Sequence, residues 1–149
     1  MRKNKTLAAW MAFLGGPFGL HRFYLHGWTD TLGWFLPIPT ALGLYGIRRA
    51  LEFGVDDGWS WVLTPLFGFT IAACALTAIV YGLATPEKWN ARHNPQAAPD
   101  DSAGRTQWLT IGAVVCSLLI GATALMSSIA FSFQRYFEYQ IEEGQKISQ

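Results

Sequence analysis

Four uncharged runs divide this chain. Thr6 to Leu20, Thr31 to Ile47, Trp59 to Ala84 and Gln107 to Phe133 contain no Asp, Glu, Lys or Arg. A bilayer core of about 30 Å needs roughly 20 apolar residues in a helix. The last two runs meet that length easily. The first two are short: glycines 15, 16 and 19 and Pro17 interrupt the first, and Pro37 and Pro39 break the second. Proline removes a backbone donor and clashes with the preceding turn, so two half-helices are expected there, one capped by Asp30 and one beginning near Pro39.

The pattern predicts an all-α integral membrane protein with about four transmembrane helices. Residues 1–54 would form a first hairpin. Residues 55–149 would form a longer one, with spans at about 59–84 and 107–133, a polar loop at 85–106 and a helical tail ended by Gly144. Asp56 or Asp57 is placed to cap the third span. Thr85-Pro86-Glu87 opens one short helix within the loop, and residues 95–104 read as flexible. The basic opening Met1-Arg2-Lys3-Asn4-Lys5 before an apolar stretch resembles a signal peptide, but no small-x-small site follows it, so retention is expected.

Composition narrows the class. Of 149 residues 51% are hydrophobic and 14% charged, against about 25% charged in soluble domains. The net charge of +1 supplies no field for nucleic acid, and no nucleic-acid partner is expected. Cys74 and Cys116 lie inside apolar runs, which argues against a disulfide framework or a zinc site. Placing the N-terminus inside puts seven cations there (Arg2, Lys3, Lys5, Arg48, Arg49, Arg135, Lys146) and four outside (Arg22, Lys88, Arg92, Arg105). That count predicts both termini in the cytoplasm and the 85–105 loop outside.

The densest polar cluster runs from Gly15 to Gly27. Its Gly15-Gly16-x-x-Gly19-x-His21-Arg22-Phe23-Tyr24-Leu25, set between a Lys-rich start with a short apolar helix and a second apolar helix, resembles the TM2 domain family of small membrane proteins over about residues 3–50. His26 before Gly27 and the proline-broken second helix depart from the family pattern. The resemblance implies a helical hairpin and a membrane location, with no established chemistry. In animal members the motif loop is drawn on the cytosolic side.

Candidate chemistry in the cluster is sparse. Arg22 either snorkels to the interface beside Phe23 and Tyr24, or is tucked into the bundle and paired with Asp30 or Glu52. His21, His26 and Asp30 do not share a helical face as metal ligands, and His93 reads as solvated. Ser117, Ser127 and Ser128 have no histidine base in their segment and read as packing residues. Catalytic, cofactor and metal residues are therefore none. Small residues at Ala113, Ser117 and Gly121, and at Gly68 and Ala72, predict close contact of spans three and four, with self-association as the other use of the stripe. Cys74 and Cys116 should then share a depth as free thiols. The functional expectation is a non-enzymatic scaffold or accessory protein of a bacterial-type inner membrane, meeting lipid and other membrane proteins or a second copy, with no small-molecule substrate identified. A small oligomeric channel or transporter is the alternative.

Overall fold

The computed structural model describes residues 2–54 and 56–147. Val55, at the expected boundary between the two halves, lies outside them. Every regular element among the described residues is helical.

Helix α1 (Lys5–Gly15) starts at Asn4, whose side chain accepts from the Leu7 N–H at 3.2 Å. Its inner face is Ala8, Ala9 and Ala12, all fully buried. At about 1.5 Å per residue α1 is only about 16 Å long, half a bilayer core. One 3-10 turn, Gly16–Phe18, then reverses the chain into α2 (Leu20–His26). The reversal needs Gly19, at φ 75°, a conformation that costs other residues free energy.

Asp30 caps α3 (Thr31–Phe35) by accepting from the Gly33 N–H at 2.9 Å. Leu36 keeps helical angles (φ −59°, ψ −38°), so α4 (Pro37–Phe53) follows α3 with no loop between them. The second apolar run thus forms two helices, as its prolines predict, with the joint at Leu36 and the second helix starting at Pro37 rather than Pro39. The Thr40 hydroxyl sits within hydrogen-bond reach of the carbonyls of Leu36 at 3.0 Å and Pro17 at 2.9 Å, joining α4 to the turn after α1.

Asp57 opens α5 (Gly58–Leu83) by accepting from Ser60 N–H at 3.0 Å. Arg49 grips the same carboxylate through Nε at 2.9 Å and Nη2 at 2.7 Å, and this pairing holds the Asp57 carboxyl below its usual range. Pro65 lies inside α5 without ending it. Thr85 caps α6 (Pro86–His93), and α7 (Trp108–Ile147) closes the chain. Gly144 does not stop α7. It lacks the positive φ of a glycine cap, and the helix continues to Ile147.

α5 is the centre, with α1, α4 and α7 packed on it. Lys5 meets Ala84 and Gly16 meets Cys74, so α1 runs antiparallel to the upper half of α5. Gly43 lies against Phe67 and Gly46 against Leu63, so α4 covers the lower half. Gly82 against Val114, Gly121 against Ala75 and Gly68 against Ser128 set α7 antiparallel along the whole of α5.

This register corrects three expectations. The first apolar run does not traverse the bundle: it dips to the level of Cys74 and returns. The chain start therefore lies at the same end as residues 85–106. Arg2 pairs with Asp101 at 3.0 Å, and Lys5 Nζ donates to Ala84 O at 2.9 Å and Thr106 Oγ1 at 2.7 Å. The charge count had placed these two segments on opposite sides of a bilayer, because it assumed one crossing for every apolar run. The cysteines, finally, are both free but not level. Gly121 faces Ala75 and Gly82 faces Val114, which sets Cys116 beside the part of α5 about six residues past Cys74, or about 9 Å.

Candidate functional site at the motif hairpin

The motif builds a wedge between α1, α3 and α5. Arg22 and Asp30 form a two-pronged pair, Nε to Oδ2 at 2.5 Å and Nη2 to Oδ1 at 3.0 Å. Their side chains are 24% and 14% exposed, so the pair is neither an open interfacial anchor nor a fully buried one. Asp30 also caps α3, and this single carboxylate fixes α2 to α3. Such bidentate geometry is the strong form of the interaction.

Aromatic residues of the motif serve two ends. Phe23 stacks on Trp28 (5.1 Å, 18°) and meets Trp34 at 5.2 Å. An added Cβ at Gly33 would come within 2.6 Å of the Phe23 ring. The Tyr24 hydroxyl accepts from the Asn4 N–H at 2.8 Å, tying α2 to the head of α1. Gly16 fits under Cys74, where a Cβ would come within 2.5 Å of the Cys74 Cβ. A Cβ at Gly15 would strike the Leu20 side chain.

His21 is 3% exposed, its ring 6.1 Å from Tyr81, and its Nδ1 has no hydrogen-bond partner. With Arg22, Leu32, Phe35, Leu36, Ala73, Cys74 and Thr77 it lines a cavity of about 190 Å³. Neither His26 nor Asp30 joins it there. His26 instead meets His93, ring to ring at 6.4 Å.

A cap covers the wedge. Trp89, 2% exposed, donates its indole N–H to Lys3 O at 2.8 Å. The Asn94 side chain accepts from Lys3 N–H at 2.8 Å and donates to Lys3 O at 3.1 Å. Lys3 Nζ donates to Leu25 O. Residues 95–104, expected to be flexible, wrap around Asn90, whose Nδ2 donates to Pro99 O at 3.0 Å and Asp101 O at 3.2 Å. His93 is half-buried and packed against Trp89, ring centroids 4.4 Å apart and planes tilted by 44°, not solvated. Burial, aided by Arg92, His26 and Lys3, pushes its pKa down to about 4.

The cap residues Lys5, Trp89, Asn90 and Asn94 escaped the sequence reading. The one available signal was a buried-type Trp in a polar loop. Of the stripe residues, Gly68 faces Ser128, Gly121 faces Ala75, and Ala113 and Ser117 are fully buried. Ala72 lines a lateral groove with Ser117 and Gly121. Pro37 and Pro39 lie in the first turn of α4. Among the described residues no three His, Cys, Asp or Glu side chains gather as a metal site.

Two helices, α5 and the α7 segment, are long and apolar enough to cross a membrane, and only 28% and 22% of their apolar windows are buried. A soluble core helix would be mostly covered. No curated protein and no solved structure matches the chain significantly. Residues 1–47, about a third of the chain, match the model of the TM2 domain, and with these two helices behind it the match points to a membrane protein.

Proposed function

We propose that this is a multi-pass protein of a bacterial-type inner membrane, crossing the bilayer three times and acting through contacts rather than catalysis. The carrying observation is how the motif spends its polar groups. Arg22 is engaged by Asp30, Tyr24 by Asn4 and Lys3 by Leu25 and Asn94. Each of these bonds holds the hairpin, the cap or the α2–α3 joint in place. Outside them the described surface of α4, α5 and α7 is largely exposed Leu, Ile, Val and Phe, suited to lipid and to neighbouring helices.

The crossings in this reading are α3 with α4, then α5, then α7, while α1 and α2 dip in and return. Along α5, Trp59 and Tyr81 are separated by about 33 Å of helix, near the bilayer core thickness, and such residues favour the interfaces. An odd number of crossings puts the two chain ends on opposite sides. Recounted this way, the cap side carries Arg2, Lys3, Lys5, Lys88, Arg92 and Arg105, and the far side Arg48, Arg49, Arg135 and Lys146. The cap side then faces the cytoplasm.

Reporter fusions near Asp100 and after the last residue test the topology: a cytoplasmic reporter is active at the first and a periplasmic one at the second. The same side for both would reject three crossings. Affinity capture from native membranes in mild detergent tests the accessory role, which predicts a reproducible membrane-protein partner. A second reading, a small channel or transporter, is favoured by the half-depth hairpin beside a proline-interrupted helix, a transporter-like device. Solute flux in liposomes, with a self-oligomer in place of a partner, would select it.

A further inference from the structure

We propose that the cap end is a docking surface for anionic phospholipid headgroups, with Arg2, Lys88 and Arg92 as the groups that meet the phosphates. The idea rests on the membrane reading above but needs only that the cap lies at one bilayer surface, not the crossing count. Its ground is a charge separation that the fold creates. The six cations of the cap face only Glu87, Asp100 and Asp101 there, which leaves three positive charges; the far side has four cations against Glu52, Asp56, Asp57, Glu138, Glu142 and Glu143, which leaves two negative. The pair Arg22–Asp30 cancels. A net charge of +1 conceals this polarity.

The fold also sorts these cations by exposure. Arg2, Lys88 and Arg92 are exposed, whereas Lys5 is fully buried and Lys3 is tied to Leu25 and Asn94. Asp101 fixes Arg2 through Nη1, and Thr85 caps the helix that carries Lys88 and Arg92. Arg2 and His93 border a polar cleft of about 460 Å³ with Asn94 and Gln96, where the Arg2 guanidinium and the Gln96 amide can donate hydrogen bonds to phosphate oxygens. Trp108, 85% exposed, follows directly on the cap at the head of α7. An exposed tryptophan there marks headgroup level, so the cations sit where lipid phosphates lie.

The test uses the full chain reconstituted in vesicles of equimolar phosphatidylcholine and phosphatidylglycerol, then extracted in mild detergent, with the co-purifying lipid quantified. Wild type should retain phosphatidylglycerol preferentially, and added salt should weaken the preference. Each cation removed in Lys88→Gln/Arg92→Gln, and then Arg2→Gln, should lower retention by about fivefold. The far-side pair Arg48→Gln/Lys146→Gln should leave it intact. No preference in wild type, the same preference in the cap variants, or loss in the far-side pair would overturn the proposal. Vesicle flotation separates the two claims: a chain that floats without lipid preference refutes the docking surface alone, and one that floats with neither lipid refutes the membrane reading as well.

Discussion

The indole N–H of Trp89 reaches the carbonyl of Lys3 at 2.8 Å, across 86 positions of sequence. With the Asn94 side chain bonded to the same residue, it fastens the chain start beneath the cap.

Removing that bond while keeping a large ring, Trp89→Phe, should cost about 1 kcal/mol. Trp89→Ala also leaves a cavity under His93 and Tyr81 and should cost roughly 3–5 kcal/mol. Thermal unfolding in detergent would order the variants wild type, Phe, Ala. Equal midpoints for wild type and Trp89→Ala would mean that the cap does not hold the hairpin.

Gly19 and Gly27 both have positive φ, 75° and 86°, but only Gly19 has a neighbour in the way, the Gly33 carbonyl. Gly27→Ala should therefore cost roughly 1–3 kcal/mol from backbone strain alone, since φ 86° with ψ 178° is a conformation nearly confined to glycine. Gly19→Ala should cost clearly more, because the α2–α3 contact must open as well. Expression level and melting temperature would compare them, and equal losses would argue against the close approach.

Arg22→Ala should destabilise by on the order of 2 kcal/mol, since it leaves a partly buried carboxylate without its partner. Arg48→Ala removes an exposed pair with Glu52, 77% and 52% accessible, and should change stability by under about 1 kcal/mol. A double-mutant cycle with Asp30→Asn would assign the difference to the Arg22–Asp30 contact rather than to lost packing.

His93 gives the cap a pH dependence. Its pKa is depressed in the folded state, so the unfolded chain binds the extra proton first as pH falls. The stabilisation is fully present above about pH 6.5 and is lost progressively towards about pH 4. Melting curves across that window should flatten in His93→Phe relative to wild type. An unchanged slope would show that the ring is more solvated than its packing against Trp89 indicates.

The parts of this fold legible in sequence were those fixed by local chemistry. The long uncharged runs of α5 and α7 are unambiguous, and Asp30, Asp57 and Thr85 are caps because a short acceptor side chain precedes each helix. The Gly-Gly-x-x-Gly turn before His21-Arg22-Phe23-Tyr24 also announced itself. The depth of α1 did not. An apolar stretch of 15 residues reads as a short span, and only Cys74 over Gly16 and Ala84 over Lys5 show it ending halfway. Leu36 keeps helical angles although a proline follows it, which local propensity disfavours, and the Thr40 hydroxyl near Leu36 O and Pro17 O is a tertiary contact that propensity cannot supply. The cap was invisible for the same reason: its bonds join residues 3 to 6 with residues 84 to 110.

Those long separations bear on how the molecule is made. Lys5 and Thr6 emerge early, yet their partners Ala84, Thr106 and Thr110 are about a hundred positions downstream. Loop closure over such a distance carries an entropic cost and is slow. The segment that begins the chain consequently cannot reach its final place until residues 84–110 have been made. A fragment ending near Gly54 has no lid to wait for and should be cleared by membrane proteases, however intact its family signature.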